Sequence, residues 1–179
     1  MTTIAPPLEI RPAAARDVPA IAAIYAHHVR HGLASFELEP PSEAEMERRR
    51  VEIAARGLPY LAALEGDELV GYAYAGPYRP RPAYRYTVEN SVYVKPGRER
   101  RGIGRRLLAA LLAECEALGL RQVVAVIGDS ANDASIRLHE SLGFRRAGLL
   151  QAVGFKFGRW VDSVQMQREL GPGDRAPPG

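Results

Sequence analysis

Apolar residues recur at helical spacing in four stretches of the chain, and between them they alternate or run together as in strands. Start and stop signals flank the helical stretches, including a capping box at Ser42–Glu45. The predicted helices run from after Asp17 to Gly32, from after Ser42 to near Gly57, over 107–119, and from Asn132 or Asp133 to Gly143. The predicted strands are Leu8–Arg11, Tyr60–Glu65, Leu69–Tyr78, Ala83–Val94, 123–128, Leu149–Phe155 and Val161–Arg168.

This alternation of helices and strands predicts an α/β or α+β fold around a mixed sheet of six or seven strands. With 179 residues, the chain has the length of one domain. Proline and glycine are frequent at both ends, so we expect flexible tails over 1–7 and 171–179 around one domain, 8–170. His28 shares the apolar face of the first predicted helix and is expected to be a surface or core residue of that helix.

Composition excludes several classes of protein. Cys115 is the only cysteine, so neither a disulfide framework nor a thiol-only zinc cluster can form within one chain, and four scattered histidines predict no metal site. No apolar run approaches the ~20 residues that span a bilayer. The N-terminus lacks the basic flank and long apolar stretch of a signal peptide. We therefore expect a cytoplasmic protein with no metal and no membrane partner.

The net charge of +3 is concentrated in one segment. Between Lys95 and Arg106 there are six basic residues and one acid, Glu99, so this segment carries +5 and the rest of the chain −2. A nucleic-acid-binding protein more often spreads its basic surface along a face or groove. One short basic loop suits a small polyanionic ligand better, and a non-enzymatic, nucleic-acid-binding loop is the alternative.

The basic segment joins a predicted strand to a predicted helix through Gly102 and Gly104. Glycine allows a tight turn and close approach to a ligand, and the start of a helix directs free N–H groups and its positive dipole end to the same point. A pyrophosphate fits such a loop, whereas the alternative is a solvated basic rim. The GxxxxGK[ST] pattern is absent and Leu107 replaces the third glycine of GxGxxG, so neither a Walker loop nor a Rossmann site is predicted.

Four further segments accompany this loop: ASFELEPP (34–41), TVENSVYV (87–94), AVIGDSANDASIRLHESLGF (125–144) and VGFKFGRWVD (153–162). Together they resemble the GNAT superfamily of acetyltransferases, and within it the phosphinothricin and methionine sulfone or sulfoximine N-acetyltransferases. The resemblance implies a single-domain, mostly antiparallel sheet with splayed central strands flanked by helices. It also implies acetyl-CoA as co-substrate, bound by Val92, Tyr93, Val94, Arg100, Arg101, Gly102, Ile103, Gly104, Arg105, Asn132 and Ser141.

One position departs from the family pattern. Glu99 stands three residues before Gly102, where the superfamily usually has Gln or Arg. An acid facing a pyrophosphate repels it. Because such loops bind mainly through backbone N–H groups, we expect weakened binding of acetyl-CoA rather than none, with Arg98, Arg100 and Arg101 offsetting the charge.

Acetyl transfer to an amine that is mostly ammonium at neutral pH requires a general base. Glu89 lies in the middle of an apolar strand, where burial raises the pKa of a carboxyl group. From the residues alone, an exposed edge residue or an ion-pair partner is the more frequent case, but the resemblance implies a catalytic glutamate here. Cys115 lies on an apolar helical stripe and is expected in the core, so we expect direct transfer in a ternary complex.

His139 occupies the slot in which many members of the superfamily carry a tyrosine that protonates the leaving thiolate. Histidine also suits proton donation, and a packed core histidine is an equal alternative. A backbone N–H near Tyr93 or Val94 is the expected donor to the oxyanion, because a splayed strand leaves donors unpaired.

Arg79 and Arg81 precede the predicted base and could clamp an acceptor carboxylate. Further candidates for the acceptor pocket are Phe36, Glu89, Asn90, Ser91, Lys156 and Arg159. The resemblance implies a small amino acid with a sulfone-, sulfoximine- or phosphinate-like side chain, and a homodimer with the site near the subunit contact. A protein N-terminus or an aminoglycoside is the alternative acceptor, and the two arginines argue against the latter.

Overall fold

The computed structural model describes residues 7–178, so that residues 1–6 and 179 of the predicted tails lie outside the described part. The strands are β1 (Leu8–Pro12), β2 (Tyr60–Glu65), β3 (Glu68–Pro77), β4 (Thr87–Val94), β5 (Gln122–Gly128), β6 (Arg145–Lys156) and β7 (Arg159–Glu169). The α-helices are α1 (Val18–His31), α2 (Glu43–Ala55), α3 (Ile103–Ala117) and α4 (Asp133–Glu140).

Across residues 7–178 the strands form one sheet in the order β1-β2-β3-β4-β5-β7-β6. Neighbouring strands are antiparallel except β4 and β5, which run parallel. The predicted mixed, mostly antiparallel sheet is therefore confirmed, with seven strands. The parallel pair needs a crossover, and α3 supplies it.

Helices cover both faces of the sheet. On one face α3 buries Leu107, Leu108 and Leu111 in the larger of two core clusters. On the other face α1 and α2 pack over a second cluster that includes tyrosines of β2 and β3. Cys115 is buried in the first cluster and burial raises the pKa of its thiol to about 12, so the thiol stays protonated, as expected for a core residue.

Several local features differ from the sequence-based predictions. β4 begins at Thr87 rather than Ala83, because Pro82 starts a 3-10 turn over Pro82–Tyr84. β6 and β7 are longer than predicted. β6 begins at Arg145 rather than Leu149, and shifts in its register with β7, the first of them between Arg146 and Gly148, let the pairing extend over this length. Asp17 stands at the N-cap position of α1, but its carboxylate accepts from the guanidinium of Arg11 instead of capping the helix.

At the C-terminus, residues 171–178 form turns beside the sheet. Arg121 donates to the backbone carbonyls of Gly173 at 3.4 Å and Pro177 at 3.1 Å. Among residues 7–178, none of the helices combines the length and apolar character needed to cross a bilayer.

Candidate active site

The site is built around the separation of β4 from β5. The two strands pair from Thr87 with Gln122 to Asn90 with Ala125, although β4 continues to Val94 and β5 to Gly128. Beyond the last pair, a small cavity of about 50 Å³ opens between them. The splayed central strands implied by the family resemblance are therefore present.

Backbone groups on the open side of β4 come from its even-numbered residues. The N–H of Lys95 donates to Val70 of β3, whereas the carbonyl of Tyr86 accepts from residues at the start of β5. Since N–H directions alternate along a strand, the N–H groups of Val92 and Val94 face the opening and that of Tyr93 faces β3. Of the two expected oxyanion donors, Tyr93 and Val94, only Val94 directs its N–H group into the opening. The N–H group of Val92 faces the same opening.

A groove of about 810 Å³ runs from this opening to the basic loop and the start of α3. Gly102 caps α3 in the left-handed conformation (φ 79°), which leaves the first N–H groups of the helix directed into the loop. A Cβ on Gly104 would lie in ordinary contact, 3.4 Å from side chains of Leu138 and Val94. The groove is lined by these predicted cofactor residues: Val92, Tyr93, Val94, Arg100, Gly102, Ile103, Gly104, Arg105 and Asn132.

Two predicted cofactor residues lie elsewhere. Arg101 forms an ion pair with Glu65 at 3.2 Å, and the hydroxyl of Ser141 donates to the carbonyl of Leu138 at 2.7 Å. Arg98 lines the groove, but it also pairs with Glu65 and with Glu68. Ion pairs therefore take up much of the positive charge that was expected to offset the acid of the loop.

Glu99 itself lines the groove beside Arg100 and Arg105. The acid thus lies in the wall of the groove, and its repulsion of a pyrophosphate stays a prediction. Backbone N–H groups at the start of α3 and the two arginines remain as anion-binding elements in the same wall.

Glu89 lies on the face of β4 that α1 and α2 cover. Its register partners are Gly76 of β3, which has no side chain, and Val124 of β5, so neither register neighbour offers a polar side chain to the half-buried carboxylate. Burial raises the pKa of Glu89, and the positive charge of Arg79 opposes that shift. A half-buried carboxylate with a raised pKa is suited to proton transfer.

A second cavity, of about 540 Å³ and called the acceptor pocket below, opens on the same face. Gly76, the register partner of Glu89, lines it together with Arg79, and α2 contributes Arg49, Glu52 and Arg56. Its aromatic wall consists of Tyr25, Tyr60, Tyr72 and Tyr74. Arg49 pairs with Glu37 and Glu45, and Arg56 pairs with Glu52. Arg79 is therefore the rim arginine best suited to an anionic group on a small acceptor with an apolar body.

His139 is fixed between α4 and β4. The side chain of Asn132 caps α4 by accepting from the N–H of Ser135 at 3.2 Å, which directs the helix across the splayed strands. His139 is 2 % exposed, and its Nδ1 lies 2.7 Å from the carbonyl of Ser135 while its Nε2 lies 3.0 Å from Nδ2 of Asn90. Burial lowers the pKa of His139, partly opposed by the bond to Ser135.

The other predicted acceptor residues are dispersed. Arg81 precedes the 3-10 turn on the exposed loop, and Arg159 pairs with Asp129 at 2.8 Å. Lys156 is buried and donates to the carbonyl of Ser35 at 2.7 Å. Phe36 lies against Gly154 on β6. Asn90 and Ser91 line the small cavity between the splayed strands.

Sequence reasoning missed two contributors to the site. His28 lines the cofactor groove and its Nε2 lies 2.9 Å from the carbonyl of Val94, so the ring holds the end of β4. The tyrosine wall was also missed, although the alternation of Tyr72 and Tyr74 along β3 is a signal that both rings share one face. No residue pattern in the sequence marks His28 as different from other helix residues.

A parallel strand pair that opens beside a helix start, with a half-buried carboxylate on one of the two strands, is the arrangement expected of an acyltransferase that binds acyl-CoA. The GNAT acetyltransferase family profile matches residues 23–144, and the chain belongs to this family. Within the described residues, no group of three or more His, Cys, Asp or Glu is placed to hold a metal ion.

Comparison with known proteins gives close relatives. The chain is 55% identical over 162 residues to a phosphinothricin N-acetyltransferase of Alcaligenes faecalis, covering 90% of this chain and 82% of the relative. It is 41% identical over 169 residues to an L-methionine sulfoximine/L-methionine sulfone acetyltransferase of Pseudomonas paraeruginosa, covering 94% of this chain and 98% of the relative. The crystal structure of a phosphinothricin acetyltransferase from Sinorhizobium meliloti in complex with acetyl-CoA superposes with a TM-score of 0.93 at 46% identity, over 96% of this chain and 93% of that one. The chain is therefore an acetyl-CoA-dependent N-acetyltransferase.

Proposed function

We propose that this enzyme transfers the acetyl group of acetyl-CoA to the α-amine of a small amino acid such as phosphinothricin, methionine sulfoximine or methionine sulfone. The observation that carries the proposal is the half-buried carboxylate of Glu89. It lies on β4, the strand that also lines the cofactor groove; its register partner Gly76 lines the acceptor pocket, and the charge of Arg79 in the same pocket acts to lower its pKa against the effect of burial. The names of the relatives supply the acceptor class. Arg79 would bind the acceptor carboxylate, since a guanidinium can hold both of its oxygens.

In this mechanism Glu89 takes a proton from the acceptor ammonium, directly or through a water molecule. The freed amine attacks the thioester carbonyl, and the N–H groups of Val94 and Val92 donate to the oxyanion that forms. Collapse of the intermediate forms the amide and breaks the C–S bond. In the same step the attacking nitrogen loses its second proton, which passes through water in the open groove to the departing thiolate. We assign no proton donation to His139, because its ring is buried between the carbonyl of Ser135 and the amide of Asn90.

The test is the release of free thiol from acetyl-CoA with a panel of amines. The panel contains the three proposed acceptors, ordinary amino acids, a peptide and an aminoglycoside. Glu89→Gln keeps the size of the side chain and removes the base, so we expect turnover to fall about 10²–10⁴-fold. Acetyl-CoA binding, measured by calorimetry, should be unchanged.

Glu43→Gln, an exposed change on α2, is the matched control and should keep wild-type turnover. Full activity of Glu89→Gln would reject the role of Glu89. Release with the peptide or the aminoglycoside alone would reject the proposed acceptor class while keeping the enzyme class.

We also propose a homodimer, because the β6–β7 hairpin exposes an unusual number of large apolar side chains. The exposed residues on it are Leu149, Leu150, Val153, Phe155, Phe157 and Trp160. Large apolar side chains exposed together on one hairpin are typical of a protein interface. A cytoplasmic location stays a prediction from the sequence.

Two alternatives are less well supported. A nucleic-acid-binding role for the basic loop is disfavoured because Lys95, Arg98 and Arg101 form ion pairs with Glu65 and Glu68. An aminoglycoside is polycationic, so Arg79 at the rim of the acceptor pocket would repel it, whereas Arg49 and Arg56 are paired with glutamates and add little.

A further inference from the structure

The segment 33–37, called the strap below, connects the two cavities of the site. Its first residues, Leu33 and Ala34, line the cofactor groove. At its other end, Glu37 accepts from the hydroxyl of Tyr25 at 2.9 Å and from Arg49 at 2.6 Å, and both of these partners line the acceptor pocket. The position of the strap therefore affects both binding sites.

The strap lies directly on the ends of β5 and β6. A Cβ on Gly128 would lie 2.1 Å from the carbonyl oxygen of Leu33, and a Cβ on Gly154 would lie 2.6 Å from the ring of Phe36. Neither glycine has a positive φ, so backbone conformation does not require glycine at these positions. Glycine is required because the strap approaches too closely to leave room for a side chain.

Lys156, at the end of β6, fixes the middle of the strap. The side chain is only 3 % exposed, and its ammonium group donates to the carbonyl of Ser35 at 2.7 Å. The hydroxyl of the same serine lies 2.9 Å from the hydroxyl of Tyr25 and accepts from the N–H of Glu37 at 3.2 Å. A chain of hydrogen bonds thus runs from Lys156 through Ser35 to Tyr25, in the wall of the acceptor pocket.

A buried ammonium group is costly unless its hydrogen-bonding capacity is used. Burial lowers the pKa of Lys156, and the charge of Glu37 opposes that shift. The side chain also lies over the ring of Phe157, with Nζ 5.1 Å from the ring centroid. An apolar side chain in this place would not carry the desolvation cost of a buried ammonium group. We therefore attribute the presence of the ammonium group to the hydrogen bond that it donates to Ser35.

We infer that Lys156 is a positioning residue for the acceptor: it holds the strap so that Tyr25 and Arg49 shape the acceptor pocket, and it makes no contact with the substrate. The inference replaces the expectation that Lys156 binds the acceptor directly. Its effect on the acceptor rests on the proposed function, whereas its effect on the strap does not.

Two variants test the inference from different sides. Lys156→Met keeps an unbranched chain and removes the ammonium group. Gly154→Ala changes no polar group and displaces Phe36 by its added methyl group. The matched controls are Arg145→Met, a surface cation on the same strand, and Gly148→Ala, where an added Cβ would have no neighbour within 4 Å.

The first readout is hydrogen exchange of the strap amides, measured by mass spectrometry on the full chain. The second is steady-state kinetics, with active sites counted by acetyl-CoA binding. In both test variants we expect exchange over 33–37 to rise at least about tenfold and the KM for the acceptor to rise about tenfold, with kcat per active site within about threefold of wild type. Both controls should behave as wild type.

The inference is overturned if folded Lys156→Met shows the hydrogen exchange over 33–37 and the acceptor KM of wild type. It is also overturned if the variant loses active sites while its acceptor KM is unchanged. If Lys156→Met does not fold, Gly154→Ala decides, and an unchanged KM there overturns it equally. If wild-type enzyme releases no thiol with any amine, the proposed function fails, and the exchange measurement still decides whether Lys156 holds the strap.

Discussion

Nδ2 of Asn90 lies 3.0 Å from Nε2 of His139, across the point where β4 and β5 separate. The other ring nitrogen faces the carbonyl of Ser135 at 2.7 Å. A carbonyl only accepts, so Nδ1 carries the proton and Nε2 accepts from the amide of Asn90. Burial lowers the pKa of His139 and so favours the neutral ring, and we expect His139 to anchor Asn90 rather than to act as an acid, the other alternative that the sequence left open.

This arrangement predicts the protonation of His139. Nitrogen-detected NMR at neutral pH should show a ring with a proton on Nδ1 and none on Nε2. Asn90→Ala removes a donor that stabilises the neutral ring, so the pKa of His139 should rise. The exposed His27 ring in the same spectra serves as the internal control. A proton on Nε2 in the wild type at neutral pH would contradict the assignment and restore His139 as an acid.

The acid limb of the pH–rate profile should belong to Glu89. The base works only when deprotonated, and burial raises its pKa, so kcat/KM should fall as the pH drops through that raised value. Arg79 lowers the same pKa, so Arg79→Gln should move the limb to higher pH and also reduce kcat/KM for the acceptor about tenfold.

Arg85→Gln removes a positive charge from the same loop and is the control, for which the limb should stay in place. The profile is measured as kcat/KM for the acceptor at saturating acetyl-CoA. An acid limb that does not move in Arg79→Gln would show that another group carries it.

Glu99 should weaken the binding of acetyl-CoA. The carboxylate lines the groove beside the start of α3, whereas Arg98 and Arg101 of the same loop are engaged with Glu65. Glu99→Gln should therefore lower the Kd of acetyl-CoA about threefold, and the gain should shrink at high salt because the groove is open to solvent. Calorimetry at two salt concentrations measures both effects. If wild type and Glu99→Gln bind acetyl-CoA equally well at low salt, the carboxylate of Glu99 does not lie near the phosphates.

The sequence predicted the fold well because most of its signals are local. The helix starts at Ser42 and Asn132, the hairpin at Gly66-Asp67 and the apolar face of α3 depend on neighbouring residues and appear as predicted. The turn at Pro82 is equally local, yet the apolar pattern concealed it and β4 was predicted four residues too long.

The site was predicted less completely because its geometry depends on long-range contacts. Lys156 and Ser35 are 121 positions apart, and no periodicity indicates that one donates to the other. The ion pair of Arg101 with Glu65 likewise joins distant segments. Positions on the central strand, such as Glu89 and Val94, were identified through family resemblance, which carries long-range information.

The exposed hairpin predicts the oligomeric state. Trp160 is 65 % exposed and contacts Phe155, with ring centroids 5.2 Å apart. If this surface is the dimer contact, Trp160→Glu should convert a dimer to a 19.6 kDa monomer in light scattering. Leu118→Glu, an equally drastic change at an exposed position on another surface, should remain a dimer. A monomeric wild type at micromolar concentration would reject the proposed dimer.

The buried pair of Asp17 and Arg11 should make stability depend on pH. Asp17 is 6 % exposed and accepts two bonds from Arg11, at 2.7 and 2.8 Å, and one from the N–H of Ala14 at 2.7 Å. The bonds from Arg11 lower the pKa of Asp17, while burial opposes the shift. The stabilisation is therefore complete above the ordinary pKa of an aspartate and is lost as the pH falls through the lowered value.

Asp17→Asn should reduce the free energy of unfolding by about 2–3 kcal/mol at neutral pH, since it leaves the guanidinium of Arg11 without its anionic partner. Urea titrations at several pH values measure the difference from wild type, which should narrow in acid because the wild-type carboxyl is then protonated too. Asp67→Asn, in the exposed turn between β2 and β3, is the control and should stay within about 0.5 kcal/mol of wild type. A difference that is equally large at acid pH would show that Asp17 stabilises through its shape and hydrogen bonds and not through its charge.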